Sequence, residues 1–138
     1  NFMDAFHLKL KKDQEEFVSN PIRSLAQAYV YRNQCQPFGI YQDDQMVGYV
    51  MVIYDYDIPE YDIWHMMIDE AHQGKGYGRM ALKLVLDYIK KKPFGNSDRV
   101  VLTCNKKNSH ALSLYESLGF ELTGNEEDDE VELVLTVA

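Results

Sequence analysis

The chain has 138 residues, 46% hydrophobic and 26% charged, which is enough for one packed domain and far from a disordered composition. Twenty-two acidic residues against fourteen basic give a formal charge of -8. Phosphate contacts need a basic face, so this balance argues against nucleic acid as a partner and suits a small cationic substrate.

No run approaches the ~18 apolar residues of a membrane span, and no secretory leader pattern is present. Cys35 and Cys104 have neither zinc nor C-x-x-C spacing, so no metal is expected and a reduced, cytoplasmic setting is. The first residue is Asn1 rather than Met, as in a chain that begins further upstream.

Phe2, Phe6 and Leu10 form a helical stripe over residues 2–12. Asn20-Pro21 is a helix start, and a helix follows from Ile22 to about Tyr31. Pro37 ends that region. Residues 38–42 and 46–54 read as antiparallel strands joined across Asp43-Asp44-Gln45. An acidic, aromatic loop, Asp55 to Glu60, leads to a strand from Tyr61 to Ile68 whose near-continuous apolar run suits burial on both faces.

A helix from about Tyr77 to Lys92 is amphipathic, with Tyr77, Met80, Ala81, Leu84, Tyr88 and Ile89 assigned to the inner face. Arg99 to Cys104 is a β-branched strand. Asn108 caps a helix over residues 109–118, with Ala111, Leu114, Tyr115 and Leu118 inward and Gly119 at its end. Strands over Phe120–Thr123 and Val131–Val137 flank an acidic turn from Gly124 to Glu130. The order predicts a single mixed α/β domain across residues 1–138. The apolar last strand would suit a homodimer.

Between the third strand and the long helix lies Gln73-Gly74-Lys75-Gly76-Tyr77-Gly78-Arg79. Alternate glycines allow tight turning and close approach of backbone N–H groups to a ligand. Those groups open a helix, where they lack internal partners and face the positive end of the dipole, so the loop is an anion site. Lys75 and Arg79 add charge. The run fits neither G-x-x-x-x-G-K-[ST] nor G-x-G-x-x-G.

It does fit Q/R-x-x-G-x-G/A at Gln73, Gly76 and Gly78, and so resembles the acetyl-CoA loop of the GNAT acetyltransferase superfamily. Asn108 to Phe120 resembles the superfamily's N-x-x-A-x-x-L-Y-x-x-x-G-F signature. The likeness covers roughly residues 38–137, and the family's usual first strand is not visible. Ser24 to Tyr29, Met46 to Met51 and Met66 to Asp69 are most similar to bacterial spermine/spermidine acetyltransferases.

The resemblance implies a three-layer fold, with a mostly antiparallel twisted sheet and helices on both faces. It implies acetyl transfer from acetyl-CoA to a primary amine such as spermine or spermidine, by direct attack in a ternary complex. The alternatives are a protein N-terminus or another small amine as acceptor, and a non-catalytic acyl-CoA-binding regulator. It implies that the third strand splays from the fourth, so that backbone groups of Met66, Met67 and Ile68 bind the pantetheine arm, with the Met67 N–H facing the oxyanion. Gln73, Gly74, Lys75, Gly76, Tyr77, Gly78 and Arg79 would hold the pyrophosphate, with Asn105 and Asn108 as further cofactor contacts.

Tyr115 is the candidate general acid, because a phenol with a reference pKa of ~10 keeps its proton for a departing thiolate. The base candidates are His65 and Glu60, with Asp62 on the same strand. Alternation puts Asp62 and His65 on opposite faces unless a bulge intervenes. Asp55, Asp57, Glu60 and Asp62 are the candidate lining for a cationic acceptor.

Overall fold

The computed structural model describes residues 34–137, so both helices expected before residue 32 lie outside the described residues. Six strands and two helices follow: β1 Cys35–Gln42, β2 Gln45–Asp55, β3 Glu60–Ile68, α1 Tyr77–Lys90, β4 Arg99–Asn105, α2 Ser109–Ser117, β5 Glu121–Glu127 and β6 Glu130–Thr136. They form one sheet in the order β1-β2-β3-β4-β6-β5. Every pairing is antiparallel except β3 with β4, which run parallel across the α1 crossover.

That parallel pairing is short. It joins Tyr61 to Val100 and Asp62 to Val101 and goes no further. Beyond Asp62 the two central strands separate, which opens the middle of the sheet.

Alternation along the strands divides the core in two. One face carries Val50, Val52, Tyr61, Ile63, Val100, Leu102 and Leu133, and both helices pack on it. The opposite face of β1 to β3 carries Cys35, Met46, Tyr49, Met51, Ile53 and Met67, with Trp64 against them. Both faces of β2 are therefore buried, as its apolar run requires.

Three local readings change. Pro37 lies inside β1 rather than ahead of it, which the outermost strand among the described residues tolerates because an absent N–H can face away from β2. The expected turn over residues 124–130 contracts to Asp128 and Asp129, both at positive φ (49° and 68°), in a hairpin whose strands run through the acidic residues. The buried face of α1 is Ala81, Leu82, Val85, Leu86 and Ile89, whereas Met80 and Leu84 are 60% and 70% exposed. Two apolar stripes have the helical period, and only packing chooses between them.

The α1–β4 connection is held from within. The Tyr61 hydroxyl donates to the Gly95 carbonyl at 2.7 Å and accepts the Phe94 and Gly95 N–H groups at 3.1 Å.

Candidate functional site

A bulge in β3 shapes the opening. Met51 pairs with Trp64 and Tyr49 with Met67, so His65 and Met66 together face the single residue Val50. His65 takes φ +56°, a left-handed conformation that a side chain rarely adopts. After the bulge, the Asp69 N–H donates to Val47 on β2 at 2.7 Å, and the Met67 carbonyl lies against Gly48 of β2. The Ile68 carbonyl instead accepts the Gln73 side-chain amide at 2.8 Å, on the side away from β2. Main-chain direction alternates along a strand, so the peptide groups of Ile68 and Met66 face the opening, and that of Met67 faces β2.

The glycine loop closes one end. Asp69 caps a short turn, Glu70–His72, by accepting the Ala71 N–H, and its carboxylate lies 3.4 Å from His72 Nδ1. Gly74 and Gly76 have φ of +78° and +83°, and a Cβ on either would meet nothing within 4 Å. These glycines thus serve backbone conformation rather than room, and the space beside them stays open to a ligand. Gly76 is the N-cap of α1, and the Met80 N–H is the first to find a helical partner, the Gly76 carbonyl, at 3.1 Å. The amides of Tyr77, Gly78 and Arg79 precede that bond.

The result is a cleft of about 540 Å³ running from the parted strands to the loop. Of the residues singled out from sequence, it brings together Met66, Met67, Ile68, Gln73, Gly74, Gly76, Tyr77, Gly78, Arg79, Asn108 and Tyr115. Asn108 also caps α2, accepting the Ala111 N–H at 3.3 Å. Lys75 is exposed outside the lining, and Asn105 accepts the Lys107 N–H at 2.9 Å beyond it. The lining also holds His72, Thr103, Cys104, His110 and Ser117, which the motifs did not single out.

Tyr115 lies on α2, edge-on to Phe120 at 6.0 Å between ring centroids. Burial, and then the Cys104 thiol beside it, push its hydroxyl further above the usual phenol range. Cys104 is pushed up to about 11, first by burial and then by Glu130. Both groups keep their protons at neutral pH.

The acidic residues separate into different roles. Asp55 closes its own turn, accepting the Asp57 and Ile58 N–H groups at 2.9 and 3.1 Å. Asp57 is exposed. Glu60 accepts from Arg99 Nε at 2.8 Å. His65 sits in the bulge beside Trp64, outside the cleft lining.

Asp62 stands at the last paired position, where the strands begin to part. Burial raises its carboxyl to about 7; a hydrogen bond from Trp64 opposes this, and Glu60, Glu132 and Asp55 reinforce it. Glu132 comes from β6 and was not legible as a neighbour, because strand order decides that contact. Alternation puts Asp62 and Thr103 on the sheet face opposite Tyr115 and Cys104. The Asp62 carboxyl, which is not among the cleft-lining residues, and the Tyr115 hydroxyl, which is, therefore lie on opposite faces of the sheet. Among the described residues no cluster of three or more His, Cys, Asp or Glu side chains is arranged to hold a metal.

Among curated proteins, the spermine/spermidine N(1)-acetyltransferase of Bacillus subtilis is 32% identical over 99 residues, 64% of this chain and 61% of that protein. The match thus spans about three-fifths of that relative's length. The N-alpha-acetyltransferase RimI of Mycobacterium tuberculosis is 37% identical over 65 residues, 47% of this chain and 37% of that protein. Among solved structures, a Bacillus subtilis acetyltransferase in complex with CoA superposes with a TM-score of 0.65 at 20% identity, over 94% of this chain and 95% of that one. It shares the fold expected here, a mixed α/β domain on a mostly antiparallel sheet. Residues 3–120, most of the chain, match the Acetyltransferase (GNAT) family, and the chain belongs to that family.

Proposed function

We propose that this chain transfers an acetyl group from acetyl-CoA to a primary amine, with spermine and spermidine as acceptors, by direct attack in a ternary complex. One observation carries the reading. The parted strands β3 and β4 open a cleft that ends in unpaired helix amides and holds a protonated tyrosine. The named relative in Bacillus subtilis supports the polyamine class.

The amides of Tyr77, Gly78 and Arg79, with the Arg79 guanidinium, hold the pyrophosphate. Met66 and Ile68 present peptide groups to the arm and the thioester carbonyl, in place of the Met67 N–H expected from sequence. A single such donor is worth about 3 kcal/mol. Acetyl-CoA supplies an activated acyl group.

An amine arrives at neutral pH as an ammonium ion and must lose a proton before it can attack. Asp62, at about 7, is the group suited to take it. Glu60 is committed to Arg99, and Asp62 and His65 both lie outside the lining; of these, Asp62 is the carboxyl that burial raises to about 7 at the point where the strands part, and a water carries the proton to it. Tyr115 returns a proton to the departing thiolate.

An acetylation screen across spermine, spermidine, single amino acids and N-terminal peptides, read by thiol release, tests the acceptor. Turnover of polyamines well above the others is the expected result. Preference for peptides would move the chain to the second reading, which the shorter RimI match favours. Tight CoA binding with no acceptor at all would leave an acyl-CoA-binding regulator.

A further inference from the structure

Arg79 is not free to wander. It leaves the first turn of α1, and its Nη1 donates to the Ser117 hydroxyl at 2.6 Å. Ser117 is the last residue of α2, 38 positions later in the chain, and both residues line the same cleft. The Ser117 hydroxyl spends its own proton on the Leu114 carbonyl, at 2.6 Å. Its lone pairs are therefore turned outward, and one of them receives the guanidinium. One contact thus ties the entrance of α1 to the exit of α2 across the mouth of the cleft.

A guanidinium has five N–H donors in a fixed fork, and this contact uses one. The remaining donors are left for a ligand in the cleft that Arg79 lines together with Tyr77 and Gly78. Exposed arginine side chains lose much rotamer freedom when a ligand fixes them, and a contact that has already fixed the fork removes part of that cost.

We infer that Ser117 is a positioning residue that aims Arg79 at the phosphates of the acyl carrier, and so sets the preference for CoA over pantetheine. This rests on the acetyl-CoA reading and adds to it a residue that neither superfamily motif specifies. Ser117 acts through Arg79 and touches no reacting atom.

Calorimetric titration of the full chain with CoA and with pantetheine, which lacks the phosphates, tests the assignment. Ser117→Ala should weaken CoA by about fivefold, the size of a typical net hydrogen bond, and leave pantetheine unchanged. Ser117→Thr, which keeps the hydroxyl, should restore most of the loss. In an Arg79→Ala background, Ser117→Ala should add nothing, because the group it positions is gone. Equal weakening of CoA and pantetheine, or a full additional loss on top of Arg79→Ala, would overturn the inference by showing a general structural effect. Normal CoA affinity in Ser117→Ala would overturn it while leaving the acetyl-CoA reading intact. Absence of CoA binding by the unaltered chain would overturn both.

Discussion

At the scale of single residues, protonation states divide the work. Tyr115 is held protonated by burial and Cys104, so its role in the proposed reaction is to give a proton. Tyr115→Phe removes that proton and little else, because the ring still packs on Phe120. It should lower kcat by about a hundredfold while the CoA dissociation constant stays unchanged. Steady-state rates beside a CoA titration check this, and loss of binding in parallel with rate would make Tyr115 a wall of the cleft instead. Asp62 has the opposite task and works only when ionised. With its carboxyl at about 7, the rate should climb as pH rises through that value. Asp62→Asn should abolish that rise along with most of the activity. A rise that survives the substitution would hand the base role to another group.

At the scale of elements, the spacing of β2 and β3 places the site's backbone. A Cβ on Gly48 would lie 2.5 Å from the Met67 carbonyl oxygen and 2.9 Å from Ile68 Cδ1. The first of these is backbone and cannot rotate aside. Gly48→Ala therefore forces β3 to move just after its bulge. A cost of about 1–3 kcal/mol is expected in urea denaturation, with a rise in KM for acetyl-CoA because Met66 and Ile68 move together. Unchanged stability would mean that β3 yields freely there.

How much of this was legible follows from where each signal resides. Gly76, Gly78 and Asn108 announce a helix entrance and a cap through local backbone chemistry, so loop and α2 were readable in place. Tyr115 was readable from its position in a motif. The bulge was not, because nothing local in Trp64-His65-Met66 departs from a strand pattern; only pairing with β2 exposes the extra residue. The inner face of α1 was misjudged because Met80 and Leu84 fit the helical period as well as Leu82 and Val85 do. Both strands of the β5–β6 hairpin were readable, but its tip hid in acidic residues of poor strand propensity, where cross-strand pairing outweighs local preference. Glu132 near Asp62, and Ser117 beside Arg79, join segments distant in sequence and required the fold.

At the scale of the whole molecule, an acidic chain keeps a half-buried carboxyl at the centre of its sheet, and stability should bear the mark of it. Asp62 rises from 3.8, its ordinary value, to about 7 in the folded protein. Between those values the folded state holds a proton that the unfolded chain has released. Stability therefore falls as pH rises across that window, and the contribution is gone above pH 7. Converted at 1.36 kcal/mol per pKa unit, a rise of about 3 units is a loss of about 4 kcal/mol at most, less to the extent that water screens the carboxylate. Asp62→Asn keeps the shape and the Trp64 contact available while removing the ionisation. The mutant should match the parent near pH 4 and exceed it by that margin near pH 8, in denaturation curves taken at both. The same substitution costs the base, so the stabler protein should also be the slower one, a trade expected where a strained group serves chemistry. A stability difference that does not change with pH would mean that Asp62 is solvated in the fold. Its claim to be the proton acceptor would then lose its physical basis.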